Sequence, residues 1–328
     1  LACFNTNAFG FYLLRKKVDG KMVKCTLCGR EAVVQLNYNN FSLCEGCFIK
    51  QFEKRVRRAI RRTPGFFKRG ERIAVGVSGG KDSSALLYVL NKFNSRIGAT
   101  LLPILIDEGI KGYRDEAKKQ AEKLCSQLGL TLHTYTFKEL LGFSLDEVAS
   151  LKPEREACAY CGVWRRWALN KAAVDLNADY LAVGHNADDI AQSLLMNLLR
   201  NNSLTLSRSG GVETGLKRKL FATRVKPLAF NLEKESAIYC FLKEIPFYLG
   251  ECPYYNGFRM KVKNFLNDIE NTYPGSKFAL SNASISIQKS LPVDERKIFK
   301  CSSCGFYSST RKCMACTFKE EVEKLGKS

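Results

Sequence analysis

The sequence predicts an α/β domain built on a parallel sheet, with a small metal-bound module at each end. Strand-like apolar runs at Ile73–Val77, Leu101–Asp107, Thr131–Thr136 and Tyr180–Gly184 alternate with helical patterns at Ser83–Phe93, Tyr113–Leu128 and Val163–Ala178, which is the pattern of βαβ units with helices on both faces. Cys-x-x-Cys pairs recur near both ends of the chain. The expected divisions are a zinc module over residues 1–50, a central domain over 51–280 opened by a basic helix, and a second zinc module over 281–328.

The end modules follow from cysteine spacing. Cys25 and Cys28 stand with Cys44 and Cys47, and Cys301 and Cys304 with Cys313 and Cys316. Two such pairs across a short loop bring four thiolates around one tetrahedral Zn²⁺, and a module with a thin core needs that staple. With only His133 and His185 in the chain, mixed Cys/His sites are not expected. Four sulfur ligands leave no open position, so two structural Zn²⁺ ions are predicted.

Charge points to the partner. A formal net charge of +20 over 328 residues suits a polyanion, most simply nucleic acid. Ten Lys or Arg lie between Lys50 and Arg72 against Glu53 and Glu71 alone. Phe52, Val56 and Ile60 recur there at helical spacing, so one face is expected to pack while Arg55, Arg58 and Arg62 face solvent and RNA phosphates. No apolar run reaches the roughly 18 residues that cross a bilayer. The basic cluster Arg15-Lys16-Lys17 follows the apolar start, an order that argues against a secretory signal, so a cytoplasmic protein with no membrane partner is expected.

The first strand turns into a helix through Ser78-Gly79-Gly80-Lys81-Asp82-Ser83. Backbone N–H groups and the helix dipole then face one spot, which suits a polyphosphate. A Walker A loop needs glycine where Val75 stands and Ser or Thr where Asp82 stands. A carboxylate inside a phosphate loop repels phosphate unless a divalent cation or a fixed hydrogen-bond network holds it. The string resembles the SGGxDS loop of the PP-loop ATP pyrophosphatases, which split ATP to AMP and pyrophosphate. Gly76 lies just before it. Gly184-His185-Asn186-Ala187-Asp188-Asp189 opens another helix at a strand end, where its paired carboxylates either cap the helix or hold Mg²⁺ beside ATP. Asp107 ends the strand between, so three segments converge on one cleft beyond the carboxyl ends of the strands.

Cys158 and Cys161 stand apart from the end modules, ahead of a helix expected from Gly162. Two thiolates cannot saturate a zinc or an iron–sulfur cluster, so the pair either recruits another cysteine or works as a redox dithiol. Among Cys3, Cys125, Cys240 and Cys252, the second and third fall in helical patterns as small core residues, whereas Cys252 sits in a loop-like Glu251-Cys252-Pro253-Tyr254. From Asn201 to Arg224 the chain turns polar, with Gly210, Gly211, Gly215, Arg208 and Lys217-Arg218-Lys219, either as a loop over the cleft or as a connector. Helical patterns at Glu233–Glu244 and Met260–Thr272 precede an unpatterned stretch.

Taken together, Ser78–Ser83, the Cys158/Cys161 pair, the Gly184–Asp189 string, Arg224-Val225-Lys226-Pro227-Leu228, Glu251-Cys252-Pro253 and a cysteine module at each end resemble the TtuA/Ctu-type tRNA 2-thiolation enzymes over nearly the whole chain. Some relatives place histidine in the N-terminal zinc site, where this chain has Cys47. Cys161–Arg166 is closer to the wobble-uridine enzymes, and Glu251–Tyr254 to those acting on 5-methyluridine in the T loop.

The resemblance implies a homodimeric tRNA uridine 2-sulfurtransferase with ATP and Mg²⁺, a [4Fe-4S] cluster on Cys158, Cys161 and Cys252, and free sulfide or a ubiquitin-like sulfur carrier as donor. On this reading Ser78, Gly79, Gly80, Asp82 and Ser83 cradle the pyrophosphate part of ATP, Lys81 offsets charge, Asp82 and Asp189 hold Mg²⁺, and Asp107 lies near the nucleoside. Adenylation turns the uridine C2 oxygen into a leaving group, and an iron without a protein ligand holds the sulfide. The alternatives are a cluster-free thiolase using a cysteine persulfide and disulfide, or a zinc-stapled tRNA-binding module without catalysis.

Overall fold

Every second residue of β3 (Arg72–Gly76) enters a different core. Ile73 and Val75 pack on one face of the sheet and Ala74 on the other, as Leu101 and Leu105 do opposite Ile104 and Ile106 in β4 (Thr100–Asp107). Strand side chains alternate between faces, so near-continuous apolar runs mark a parallel sheet covered on both sides. The computed structural model describes residues 23–63, 65–202, 213–214, 222–255, 257–290 and 297–326.

Besides β3 and β4, the main sheet contains β5 (His133–Thr136), β6 (Tyr180–Ala182), β7 (Glu213–Thr214) and β8 (Thr223–Val225), in the order β5-β4-β3-β6-β8-β7. All pairings are parallel except that of β7 with β8. Ile73, Ala74 and Val75 register with Tyr180, Leu181 and Ala182. The chain runs from β3 outward to β4 and β5, then returns to place β6 on the other side of β3. The loops after β3 and β6 therefore diverge from adjacent strands, which is where open α/β sheets bind ligands.

The small modules sit on opposite faces. A hairpin, β1 (Val34–Leu36) with β2 (Phe41–Leu43), leads into α1 (Glu45–Arg61). Val34, Leu43, Phe48, Phe52 and Val56 join the core with α2 (Lys81–Asn94) and α8 (Glu233–Leu242). Phe52 stacks on Tyr239, whose hydroxyl donates to the buried Glu53 carboxylate at 2.9 Å; Lys92 reaches the same oxygen at 2.6 Å. Between them lies α3 (Tyr113–Gln127), and after β5 the short helices α4 (Phe137–Leu141) and α5 (Leu145–Ser150), each opened by a capping box on Thr136 or Ser144, lead to the other face.

That face is covered by α6 (Ala157–Asp175), whose Tyr160, Trp164, Ala168 and Ala172 form a buried stripe at helical spacing. Phe318 of α11 (Met314–Leu325) packs on Tyr160, and Trp164 Nε1 donates to the Ala315 carbonyl at 3.0 Å. The second hairpin, β9 (Phe299–Lys300) with β10 (Tyr307–Ser308), completes the C-terminal module. Finally α7 (Ala187–Leu199) packs against α9 (Phe258–Thr272) and α10 (Ser276–Ser290) through Ala191, Val262, Leu266 and Leu280.

Several expectations need correction. The basic helix begins at Glu45, and Arg55 does not face solvent: its guanidinium reaches the buried Glu235 at 2.6 Å and Tyr38 at 2.7 Å. Arg58 and Arg62 are exposed and lie over Phe230. The first turn of α6 starts at Ala157, so Cys158 and Cys161 lie within the helix and not ahead of it. The stretch read as unpatterned holds α10, whose apolar faces meet neighbours only in the folded chain. Cys125 and Cys240 are core residues, as expected. Cys3, Arg208, Gly210, Gly211, Gly215 and Lys217–Lys219 lie outside the described residues.

Replacing Trp164 with Ala is expected to cost about 3–5 kcal/mol, because it empties the joint between α6 and the C-terminal module and strands the Ala315 carbonyl. Urea unfolding of the metal-loaded protein measures this.

Candidate nucleotide and sulfur-transfer site

The turn after β3 is fixed by short contacts. Gly79 has φ +81°, and a Cβ there would lie 1.9 Å from the Ala117 carbonyl oxygen of α3, so only glycine fits. Ser83 Oγ accepts the Ser78 N–H at 3.0 Å and donates to the Gly80 carbonyl at 3.0 Å. Arg114, buried at the start of α3, donates to the Ser78 carbonyl at 2.9 Å. Gly76 closes β3 against Leu169.

The loop after β6 closes onto this turn. A Cβ on Gly184 would come within 3.1 Å of the Ser83 nitrogen, so glycine permits the approach. The buried Asn186 then joins the two loops. Its Nδ2 donates to Asp82 Oδ1 at 3.0 Å, its Oδ1 accepts the Asp189 N–H at 3.0 Å, and its own N–H donates to Asp189 Oδ2 at 3.1 Å. Two carboxylates thus face one place. Burial, and then the neighbouring Asp82, pushes Asp189 up to about 6, while Arg259 at 3.6 Å works against the rise. Burial likewise raises Asp82. Such a pair suits a divalent cation that removes the repulsion.

Asp188 is not part of that pair. Its carboxylate accepts Lys277 Nζ at 2.6 Å and the Glu233 N–H at 2.7 Å, tying α7 to α10 and α8. Lys81 also has a partner besides the loop. Its ammonium lies 2.9 Å from Glu233 Oε1 and 3.2 Å from Asp82, and Lys263 meets the same Glu233 oxygen at 2.9 Å. Against the cost of burial, Lys81 and Lys263 draw Glu233 down to about 2. Asp107 turns back on its own loop, where Oδ1 accepts the Gly109 N–H at 2.8 Å.

A second group lies alongside. Cys158 and Cys161 stand on the first turn of α6, and the segment carrying Cys252 is pinned to the phosphate loop where the Tyr248 N–H donates to the Gly79 carbonyl at 2.8 Å. Cys158 Sγ donates to the Tyr254 carbonyl at 2.6 Å. Burial holds the Cys161 thiol up at about 12 and raises Cys252, and each of the two feels the charge of Cys158. All three are partly exposed. A charged line connects them to the loop: Arg114 pairs with the buried Glu108, and Glu108 also meets the exposed Arg165 at 3.6 Å beside Cys161.

Sequence reasoning missed Arg114, Glu108, Asn186, Glu233 and Tyr248 as site residues. Two carried a signal: Glu108 follows a strand-end aspartate, and Asn186 sits in the quoted string.

The end quartets fit a metal. Within each, the sulfur atoms all lie within 4.8 Å of one another, with Cys28 to Cys44 at 3.5 Å and Cys304 to Cys313 at 3.8 Å. A tetrahedral Zn²⁺ with bonds near 2.3 Å sets sulfurs about 3.8 Å apart. Arg30 Nε donates to Cys28 Sγ and draws that thiol down to about 6. Despite burial, the N–H groups of Cys313, Cys304 and Ser303 draw Cys301 down to about 6. Among the described residues no other group is so tightly gathered. Cys158, Cys161 and Cys252 do not form so tight a group.

The fold and the loop define the class: residues 49–219 match the PP-loop domain family, and residues 24–49 match the N-terminal LIM domain of the 2-thiouridine synthetase TtuA. The chain is 35% identical to the cytoplasmic tRNA 2-thiolation protein 1 of Anopheles gambiae, over 90% of this chain and 87% of that one, and 34% identical to the Danio rerio protein of the same name, over 92% and 89%. It superimposes with a TM-score of 0.78, at 30% identity, on the U34-tRNA thiolase NcsA from Methanococcus maripaludis with its [4Fe-4S] cluster, covering 90% of this chain and 95% of that one. The chain belongs to the tRNA 2-thiolation family of PP-loop enzymes.

Gly79→Ala is expected to destabilise the fold by on the order of 3 kcal/mol and to abolish ATP binding. Gly80→Ala, at φ −84° with nothing nearer than 3.6 Å, should leave the stability intact; urea unfolding compares the two, and calorimetric ATP titration reads the binding lost in Gly79→Ala. In the ligand-free protein the Asp189 carboxyl is expected to titrate near pH 6. Arg259→Gln removes the cation that favours the carboxylate, so the midpoint moves upward in a carbon NMR titration.

Proposed function

We propose that this chain uses ATP to activate the C2 oxygen of a tRNA uridine and replaces that oxygen with sulfur. The observation that carries the reading is the joining of Asp82 to Asp189 through Asn186 at the loop, with Arg114 and Glu108 leading from the Ser78 carbonyl to Arg165 beside Cys161. The uridine oxygen attacks the α-phosphorus of ATP and pyrophosphate leaves. Sulfide then adds at C2, the C2–O bond breaks, and AMP departs.

The chain's residues divide this work. Ser78, Gly79, Gly80, Asp82 and Ser83 hold the pyrophosphate portion from the positive end of α2. Asp82 and Asp189 would hold Mg²⁺, and Lys81 adds charge while Glu233 fixes its position. The Asp107 and Gly184 loops border the nucleoside. Cys158, Cys161 and Cys252 would hold a [4Fe-4S] cluster, which when bound has one iron without a protein ligand and so supplies the sulfur-binding position. The quartets would each hold a structural Zn²⁺, one on each face of the sheet.

The wobble uridine is preferred over the T-loop 5-methyluridine as target, in keeping with the activity in the name of the structural relative at position 34. The donor is free sulfide or a ubiquitin-like carrier, the working form a homodimer and the compartment the cytoplasm, as the names of the relatives suggest for the last.

The test uses anaerobically purified protein with tRNA transcript, Mg-ATP and sulfide, and reads nucleosides by mass spectrometry. Expected are 2-thiouridine mapped to position 34, AMP and pyrophosphate in equal amounts, and about four irons per chain. Cys252→Ala should lose both iron and thiolation. Thiolation by iron-free protein would favour a persulfide route, and no AMP in the presence of tRNA would leave only a binding module.

A further inference from the structure

Cations line the cleft from three elements. Arg165 and Arg166 are consecutive on α6, Arg224 lies in β8 with Lys226 just beyond it, and Arg259 is in the first turn of α9. Arg165 and Arg166 are open to solvent, and Arg224 and Arg259 are half-buried. Arg166 folds back along its helix: the place a Cβ on Gly162, next to Cys161, would take is 3.6 Å from Arg166 Nη1. Arg224 Nη2 donates to Asn170 Oδ1 at 3.3 Å, one turn further along α6 on the same face. Its Nε is buried and, among the described residues, has no hydrogen-bond partner.

Acidic groups meet only part of this set. Arg165 pairs with Glu108, and Arg259 stands near Asp189 while donating to Gln192 Oε1 at 3.0 Å. Among the described residues, no carboxylate lies within ion-pair distance of Arg166 or Arg224. Burial and then Arg166 hold Arg224 down to about 10. Guanidinium groups fixed against one another, one with an unmatched N–H, are settled by an oxyanion that accepts from both.

Position selects the anion. This wall lies at the carboxyl edge of β6 and β8, between Asp189 at the nucleotide loop and Cys161 at the sulfur end. A nucleotide whose base spans those two ends brings its own phosphates against the wall. We propose that Arg166 and Arg224 form a phosphate subsite that clamps the RNA phosphodiester next to the target uridine. The assignment rests on the tRNA thiolation reading and gives the substrate backbone its place. The same oxyanion chemistry could come from the triphosphate of ATP, and the test separates the two sources.

Binding of tRNA transcript to the metal-loaded protein is measured by fluorescence anisotropy across salt concentrations, and ATP binding without tRNA by calorimetry. Arg166→Gln and Arg224→Gln are each expected to weaken tRNA binding several-fold and to flatten the slope of log Kd against log salt by about 0.7–0.9. The double variant should flatten it by about twice that amount, with the Kd for ATP unchanged. Arg224→Lys should restore the slope, since it keeps the charge, a rescue that a purely structural role would not give. Unchanged slopes in both single variants overturn the proposal. Loss of ATP affinity with tRNA binding intact also overturns it and gives the subsite to the triphosphate. If Arg224→Gln does not fold, the exposed Arg166→Gln carries the test. Thiouridine formation by the unaltered protein is read separately, so tRNA binding that depends on these arginines without thiolation would sink the functional reading and leave the phosphate subsite standing.

Discussion

The parallel pairing of β3 with β6 is the constraint on which the site depends. Because Val75 registers with Ala182, the two following loops leave the sheet side by side, and Gly184 can approach Ser83 only because it lacks a side chain. Asn186 then needs no more than its own length to reach Asp82 and cap α7 at once. A register slip of one residue would turn Ile73 and Val75 out of their core and part the loops. The energy that holds the carboxylates together is therefore the burial of the sheet, and the carboxylates themselves oppose it.

A second layer of fixation joins nucleotide chemistry to sulfur chemistry. Arg114 holds the Ser78 carbonyl and pairs with the buried Glu108, and Glu108 also meets Arg165 beside Cys161. Tyr248 pins the segment leading to Cys252 onto Gly79. The Arg114–Glu108 pair is buried and therefore costly to break, so with the Tyr248 contact it fixes the cysteine segments relative to the loop. The end modules contribute through packing: one extends the core under α1, and the other braces α6 through Trp164.

What was legible in the sequence was local. The phosphate loop, the cysteine quartets and the strand ends depend on residues close together in the chain, where spacing translates directly into geometry. The pattern sets Cys158 and Cys161 ahead of a helix from Gly162, yet α6 contains both, since Tyr160 belongs to the stripe buried under Phe318. Arg55 shares the spacing of the outward arginines but meets Glu235, far along the chain, and so turns inward. Asp188 and Asp189 look equivalent in sequence. One helix step of about 100° separates them, and that step sends the first to Lys277 and the second to Asp82.

The sequence by itself determined the chemistry available: a loop for ATP, thiols at metal spacing and a strong positive charge, because each is written in residue type and short-range order. The tertiary structure alone decided which of those groups meet. Cys252 joins Cys158 and Cys161, Glu233 takes Lys81, and Arg166 and Arg224 face one cleft, because strands and helices distant in sequence must pack to bury the two faces of one sheet.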